Sequence, residues 1–401
     1  MMTWFAWILG LLLAWLWLDR VRDARRGMKT LADISAPQWE GTHLNDVVPG
    51  ASASGSESWP CLVIIVPARN ERDKVKQGLS SLLQLDYPNY QVIAVDDRST
   101  DGTGEIMQQV VAQHPDRGTM MHIAELPAGW MGKPHAMWLA AQQAPKADWL
   151  LFTDADVVFR PDCLRRAIAY AERERADHVV LFPTYATESV GERIMLSAFA
   201  MLFVFGHRPW TVADPNARDF MGLGPFNLIR RGAYQQIGTF AALRMEVIED
   251  MKLGKLVKQH RLAQRNVFGE GLLRWKWGKG AFGLVRNLTK NMFALMEFRR
   301  AKAIGACVLL AIFGLSPFIG LALAPTWARL PYAVAVAAIA VLYAGLARCM
   351  HISPLYFILH PVGTGLLIYT MLRSMAHVSR HGGVVWRGTR YSLEELKRGM
   401  V

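Results

Sequence analysis

The sequence is poor in cysteine. Four stand in 401 residues, Cys61, Cys163, Cys307 and Cys349, and no two have the spacing of a metal-binding pair. Scattered thiols of this kind fit reduced, structural cysteines in a cytoplasmic domain. Charge is also scarce. Asp, Glu, Lys and Arg make up 19% of the chain, against about 25% in ordinary soluble proteins. No internal repeat is visible, and no nucleic-acid-binding motif accompanies the net charge of +12. Because the basic residues flank apolar runs, that charge points to anionic membrane lipid and not to nucleic acid.

What is abundant is apolar sequence, 52% of the chain and concentrated at its two ends. Residues 2–18, MTWFAWILGLLLAWLWL, carry no charge, and RVRDARR follows at 20–26. A secretory signal peptide needs a basic region before its apolar core and a small-residue cleavage site after it; here the order is reversed. The run is at the short limit of a spanning helix. It reads as a signal anchor whose basic flank places the following domain on the cytoplasmic side of the cell inner membrane.

Three more apolar stretches, at about 303–324, 331–347 and 353–372, precede a basic tail containing Arg373, Arg380, Arg387, Arg390, Lys397 and Arg398. Three crossings would put that tail outside. Either one stretch is re-entrant or interfacial, or the loop-charge rule fails here. The expected organisation is an anchor at 1–26, a linker at 27–58 with GASASGSES (50–58) as a flexible tether, an α/β domain at 59–300, transmembrane or re-entrant helices at 301–373 and a basic tail at 374–401.

Between the apolar ends the pattern changes. CLVIIVPARNE (61–71), QVIAVDDRSTDGT (91–103), DWLLFTDADVVF (148–159) and DHVVLFPTY (177–185) each begin as a buried strand and end in polar residues. Helical spacing separates them at 73–83 and around 132–144. Apolar strands alternating with helices predict a mostly parallel sheet covered on both faces. Ligands of such sheets bind beyond the carboxyl ends of the strands, where Arg69, Asn70, Glu71, Asp96, Asp97, Asp101, Asp154 and Asp156 gather. Two carboxylates at i and i+2 on a strand mouth can face one hard cation if the backbone turns between them. Such a cation completes its shell with phosphate oxygens.

VPARNE, VDDRSTDGT and TDAD, in that order and at these separations, resemble glycosyltransferase family 2, inverting nucleotide-sugar enzymes with a GT-A fold. The resemblance covers about 60–290. LPAGWMGKPHAMWLAA (126–141) and VVWRGTRY (384–391) are similar to segments of its membrane branch, which includes hopanoid-associated and diaponeurosporenoate-type (carotenoid-acid) glycosyltransferases and, more distantly, ceramide glucosyltransferases. It implies a Rossmann-like GT-A domain with one N-terminal and about three C-terminal membrane helices.

The resemblance also implies roles. Asp97 corresponds to the residue that reads uracil, and Pro67, Ala68, Arg69 and Glu71 to the wall of the nucleotide pocket. Asp156 corresponds to the ligand of Mg2+ or Mn2+, with Asp154 beside it near ribose and diphosphate. Lys133 offers a point charge to the diphosphate. Inverting transfer needs a proton acceptor, and Asp250 in MEVIEDMKLG (245–254) matches the family's base at a helix start. GLLRW (271–275) keeps Arg274 for the diphosphate and Trp275 for the acceptor, but has Gly271 where Gln or Arg is usual. That departure weighs against a processive polysaccharide synthase. The expectation is transfer of one sugar from a UDP-sugar to a lipid acceptor: a hopanoid, carotenoid acid, sphingolipid or glycerolipid. An inactive nucleotide-binding scaffold would be expected to lose a carboxylate at 97, 156 or 250, and all three are present. IMLSAFAMLFVFG (194–206) is too short to span and reads as a core or an interfacial helix.

Overall fold

A computed structural model describes residues 2–41, 44 and 59–401. They form two compact units: Leu31–Ala186, Thr211–Lys276 and Arg387–Val401 in one, Met1–Thr30, Thr187–Trp210 and Trp277–Trp386 in the other. The tether expected at 50–58 lies outside the described residues.

The first unit is built on an eight-stranded sheet. Its strands are β1 (Ala32–Asp33), β2 (Leu62–Ala68), β3 (Tyr90–Asp97), β4 (Gly118–Ile123), β5 (Trp149–Phe152), β7 (His178–Leu181), β9 (Asn227–Arg230) and β10 (Gln264–Phe268), in the order β1-β10-β7-β9-β5-β2-β3-β4. All neighbours are parallel except β9, which runs antiparallel between β5 and β7. A small second sheet joins β6 (Val157–Phe159), β11 (Leu273–Trp275) and β8 (Thr184–Tyr185). The helices of this unit include α1 (Val75–Leu83), α2 (Thr103–Ala112), α3 (Gly132–Gln142), α4 (Cys163–Arg173), α5 (Arg231–Gln236) and α6 (Glu249–Gln259).

The strands are apolar throughout because both sheet faces are covered. Leu62, Ile64 and Val66 face one core with Leu79 and Leu82 of α1. Val63 and Ile65 face the other with Ala136 and Ala140 of α3. Fully burying an aliphatic side chain of this size contributes about 1.5–3 kcal/mol, so these alternating contacts fix both register and facing.

The linker expected at 27–58 is partly built into this unit. β1 pairs in parallel with β10, Ile34 and Trp39 are buried, and Arg166 Nη1 donates to the carbonyls of Ile34, Ser35 and Ala36 at 2.9–3.0 Å. Those three acceptors, with the Asp162 carboxylate at 2.5 Å from Nε, explain how a guanidinium only 2% exposed is satisfied.

The second unit is helical. It comprises helices Met2–Gly27, Val190–Gly206, Gly280–Leu295, Arg300–Leu310, Ser316–Leu323, Arg329–Met350 and His360–His381, with one π turn at Ala311–Leu315. Residues 187–210 and 277–300 belong to it, although the sequence reading places them in the α/β domain; residues 387–401, expected as a tail, belong to the sheet unit. The helix Val190–Gly206 packs rather than spans: Met195, Leu196, Ala198 and Met201 are buried, and a Cβ at Gly363 would stand 2.6 Å from the Ala198 methyl. Among the described residues four segments are long and apolar enough to cross a membrane, Trp4–Thr30, Arg300–Leu323, Thr326–Met350 and Pro354–His381. None of the last three is short, so length does not single out a re-entrant one. Trp4, Leu323 and Trp327 are each at least 75% exposed, as side chains that meet lipid would be.

Candidate active site

Parallel pairing of β2 with β3 and β5 sets three strand ends at one sheet edge. Ala68 stands opposite Asp96, and Ile65 opposite Phe152. Arg69–Glu71, Asp97–Arg98 and Asp154–Asp156 therefore emerge together. Pro67 is the penultimate residue of β2, opposite Val95, and Ala68 is buried. Asn70 takes a left-handed backbone, φ +53°, and its N–H donates to Ser99 Oγ at 3.1 Å while its Oδ1 accepts from Thr100 N at 2.9 Å. Glu71 N donates to Thr103 Oγ1 at 2.8 Å. These bonds tie the turn after β2 to the turn after β3.

Asp97 is 4% exposed and is held by Arg98, with Nε at 2.7 Å from Oδ1 and Nη2 at 3.1 Å from Oδ2. Bidentate pairing fixes the carboxylate plane. Helix α3 begins against this pair: a Cβ at Gly132 would fall 2.3 Å from Asp97 Oδ2. Arg69 donates from Nη1 to Thr389 Oγ1 at 3.3 Å, while its Nε is buried without a hydrogen-bond partner. Burial and the neighbouring Arg98 charge lower its pKa.

After β5 the chain turns at Asp154–Asp156, and each aspartate meets a different lysine. Lys133 Nζ lies 2.6 Å from Asp154 Oδ1 and 2.7 Å from Glu249 Oε1. Lys74 Nζ lies 2.7 Å from Asp156 Oδ2, and Trp275 donates its indole N–H to Asp156 Oδ1 at 2.9 Å. Burial works against the charge on Lys133, but Asp154, Glu249 and Asp250 together hold its pKa above the ordinary lysine range.

Asp250 is the second residue of α6. Its Oδ2 accepts from Gly224 N and its Oδ1 from Met251 N, both at 2.8 Å. The residue is partly exposed. Burial of its carboxyl, then repulsion from Glu249, pushes its pKa up to about 6, with Lys133 opposing the rise. A carboxyl poised near neutral pH suits proton transfer. The stretch 220–231 lies between the acids. Gly224 donates to Asp250, and a Cβ there would stand 2.4 Å from Asp154 Oδ2.

The structure brings Pro67, Ala68, Arg69, Glu71, Asp97, Lys133, Asp154, Asp156, Asp250 and Trp275 into one connected region of this unit. Arg274 is different. It is exposed on β11, and strand alternation turns it away from the face that carries Trp275. Sequence reasoning missed Lys74, Arg98 and Gly224. It also missed the contacts of residues 387–391: Arg387 pairs with Glu71, and Tyr391 accepts from Gly132 N at 3.2 Å. The resemblance of VVWRGTRY to a family tail segment was the only signal pointing at that stretch.

Comparison with known proteins gives this arrangement its class: the chain is a glycosyltransferase of the GT-A fold. More particularly, residues 63–251 match the family profile described as Glycosyl transferase family 2, so the chain carries a domain of that family. It is 24% identical to a 4,4'-diaponeurosporenoate glycosyltransferase of Staphylococcus aureus (strain USA300) over 346 residues, 83% of this chain and 89% of the relative. Among solved structures it resembles the mannosyltransferase PcManGT from Pyrobaculum calidifontis, solved in complex with GDP-Man and Mn2+. The match has a TM-score of 0.56 at 18% identity and covers 94% of this chain and 99% of that one; at this identity the likeness is one of fold.

Proposed function

We propose that the protein is a membrane-anchored inverting glycosyltransferase that moves one sugar from a UDP-sugar to the hydroxyl or carboxyl of a lipid acceptor at the cytoplasmic face of the inner membrane. The observation that carries this reading is the bridge made by Lys133 between Asp154 and Glu249, beside Asp250 with its raised pKa. It joins a donor-side carboxylate, through one cation, to the residue preceding the candidate base. The four long apolar segments and the carotenoid-acid name of the relative favour a lipid acceptor.

A divalent cation fits the residues present. Asp154 and Asp156 offer hard oxygen donors, and each already holds a positive charge, the ammonium of Lys133 or Lys74. Among the described residues no group of three or more His, Cys, Asp or Glu forms a closed cage. Asp156, with Asp154 beside it, would hold Mg2+ or Mn2+ jointly with phosphate oxygens. The metal would stabilise the charge on the departing diphosphate.

The chain's own groups do the rest. Asp97, fixed by Arg98, faces the base, with Pro67–Glu71 as the pocket wall. Lys133 offers an ammonium to the diphosphate. Asp250 Oδ accepts the proton of an acceptor hydroxyl as its oxygen forms the new bond to the anomeric carbon. The bond from that carbon to the diphosphate oxygen breaks on the opposite face, its electron pair leaving with UDP, so the configuration inverts.

The test is UDP release by detergent-purified protein from a panel of UDP-sugars with Mn2+, with and without total membrane lipid. Lipid-dependent release that needs metal and is lost in Asp156→Ala supports the reading. If no UDP-sugar releases UDP, the donor assignment is wrong.

A further inference from the structure

Helix α1 is pressed against the acidic turn along one stripe. Gly78 lies so close that a Cβ would stand 2.2 Å from the carbonyl oxygen of Ala155, the residue between the two aspartates. Three residues on, Ser81 Oγ accepts the N–H of Phe159 at 3.0 Å. One turn before, at the helix N-cap, Lys74 Nζ meets Asp156 Oδ2 at 2.7 Å. Positions 74, 78 and 81 share a helix face. Backbone contact at Gly78 therefore fixes where Lys74 stands, which separates this pair from an adventitious surface salt bridge.

The two lysines of the turn are not equivalent. Lys133 is shared between Asp154 and Glu249 and is 24% exposed at its side chain; the Lys74 side chain is 45% exposed. The Asp156 oxygen that Lys74 occupies is also one a metal would need, and its other oxygen is taken by Trp275. An ammonium and a divalent ion at one carboxylate oxygen exclude each other, both by contact and by charge.

Resting on the reading of Asp156 as a metal ligand, we propose that Lys74 is a placeholder cation: it neutralises Asp156 in the absence of donor and gives way when a divalent ion arrives with a nucleoside diphosphate. Metal alone has to displace the lysine without giving its ammonium a new anion. Metal with a diphosphate supplies one, so the displaced ammonium exchanges a carboxylate for phosphate oxygens. Lys74 thereby couples metal binding to nucleotide binding, and the coupling is reciprocal. Lys74 is a positioning residue in this scheme and takes no proton from the acceptor.

The experiment is Mn2+ binding to the purified full chain, read from the electron paramagnetic resonance signal of free Mn2+, with and without UDP. It compares wild type with Lys74→Met, Lys74→Arg and Asp156→Ala. Without UDP, Lys74→Met is expected to bind Mn2+ about tenfold more tightly than wild type, and UDP is expected to tighten binding less than in wild type. Lys74→Arg, which keeps the charge, should retain the wild-type dependence on UDP. If Lys74→Met binds Mn2+ alone no more tightly than wild type while Asp156→Ala loses it, the metal site stands and the placeholder is disproved. If neither wild type nor Lys74→Met binds Mn2+ with UDP present, the metal reading fails and takes the placeholder with it.

Discussion

Trp275 donates its indole N–H to Asp156 Oδ1 at 2.9 Å. The bond joins β11 to the turn after β5 and gives the tryptophan a task that the acceptor-stacking expectation did not include: it orients the carboxylate. Hydrogen bonds to charged groups contribute about 1.5–3 kcal/mol. Trp275→Phe keeps an aromatic side chain but loses the donor, together with part of the indole's volume. It is expected to lower kcat/KM about tenfold or more, and steady-state kinetics on the two proteins would check this. Unchanged kinetics would mean that the indole N–H does not orient Asp156.

The pKa of Asp250 gives a pH dependence with a definite sign. A base works when deprotonated, so with its pKa raised to about 6 the rate should rise through that pH and level off above it. Lys133 holds the Asp250 pKa down. Removing that charge in Lys133→Met should therefore move the acidic limb of the pH–rate profile to higher pH, as well as weaken donor binding. A limb that stays in place in this variant would show that Asp250 does not govern it.

Gly224 stands between the two acids. Gly224→Ala would put a methyl 2.4 Å from Asp154 Oδ2 and disturb the residue whose N–H binds Asp250. Overpacking of this kind costs about 1–3 kcal/mol. The expected outcome is a lower Tm together with a loss of turnover larger than that of an alanine substitution at exposed Gly232. Equal effects at the two positions would contradict the close packing at Gly224.

Much of this was legible in the sequence, for a physical reason. A strand buried on both faces has to be apolar along its whole length, so β2, β3, β5 and β7 are visible as continuous runs whose polar residues mark the strand ends. β1 and β9 are not visible in this way. β1 has two residues, and β9 is a four-residue antiparallel insertion whose place depends on β5 and β7 already being formed. Asp97, Asp154 and Asp156 could be placed at one sheet edge because they end or directly follow strands. Lys74 could not, because its contact with Asp156 depends on the approach of α1 at Gly78, and a glycine's reason for being small lies in its neighbours. Arg274 shows the converse: a motif gives residue order, whereas strand alternation decides which side a side chain faces.

The central claim is single-sugar transfer to a lipid with Asp250 as the base. The most direct test incubates wild type and Asp250→Asn with a UDP-sugar that supports UDP release, Mn2+ and membrane lipid extract, and analyses the lipids by mass spectrometry. UDP affinity is measured in parallel. The account predicts a lipid product heavier by one sugar residue with wild type. It predicts no such product with the Asn variant, a loss of about a hundredfold or more, while UDP binding is kept. A polymeric product, or a variant that turns over near the wild-type rate, would contradict it.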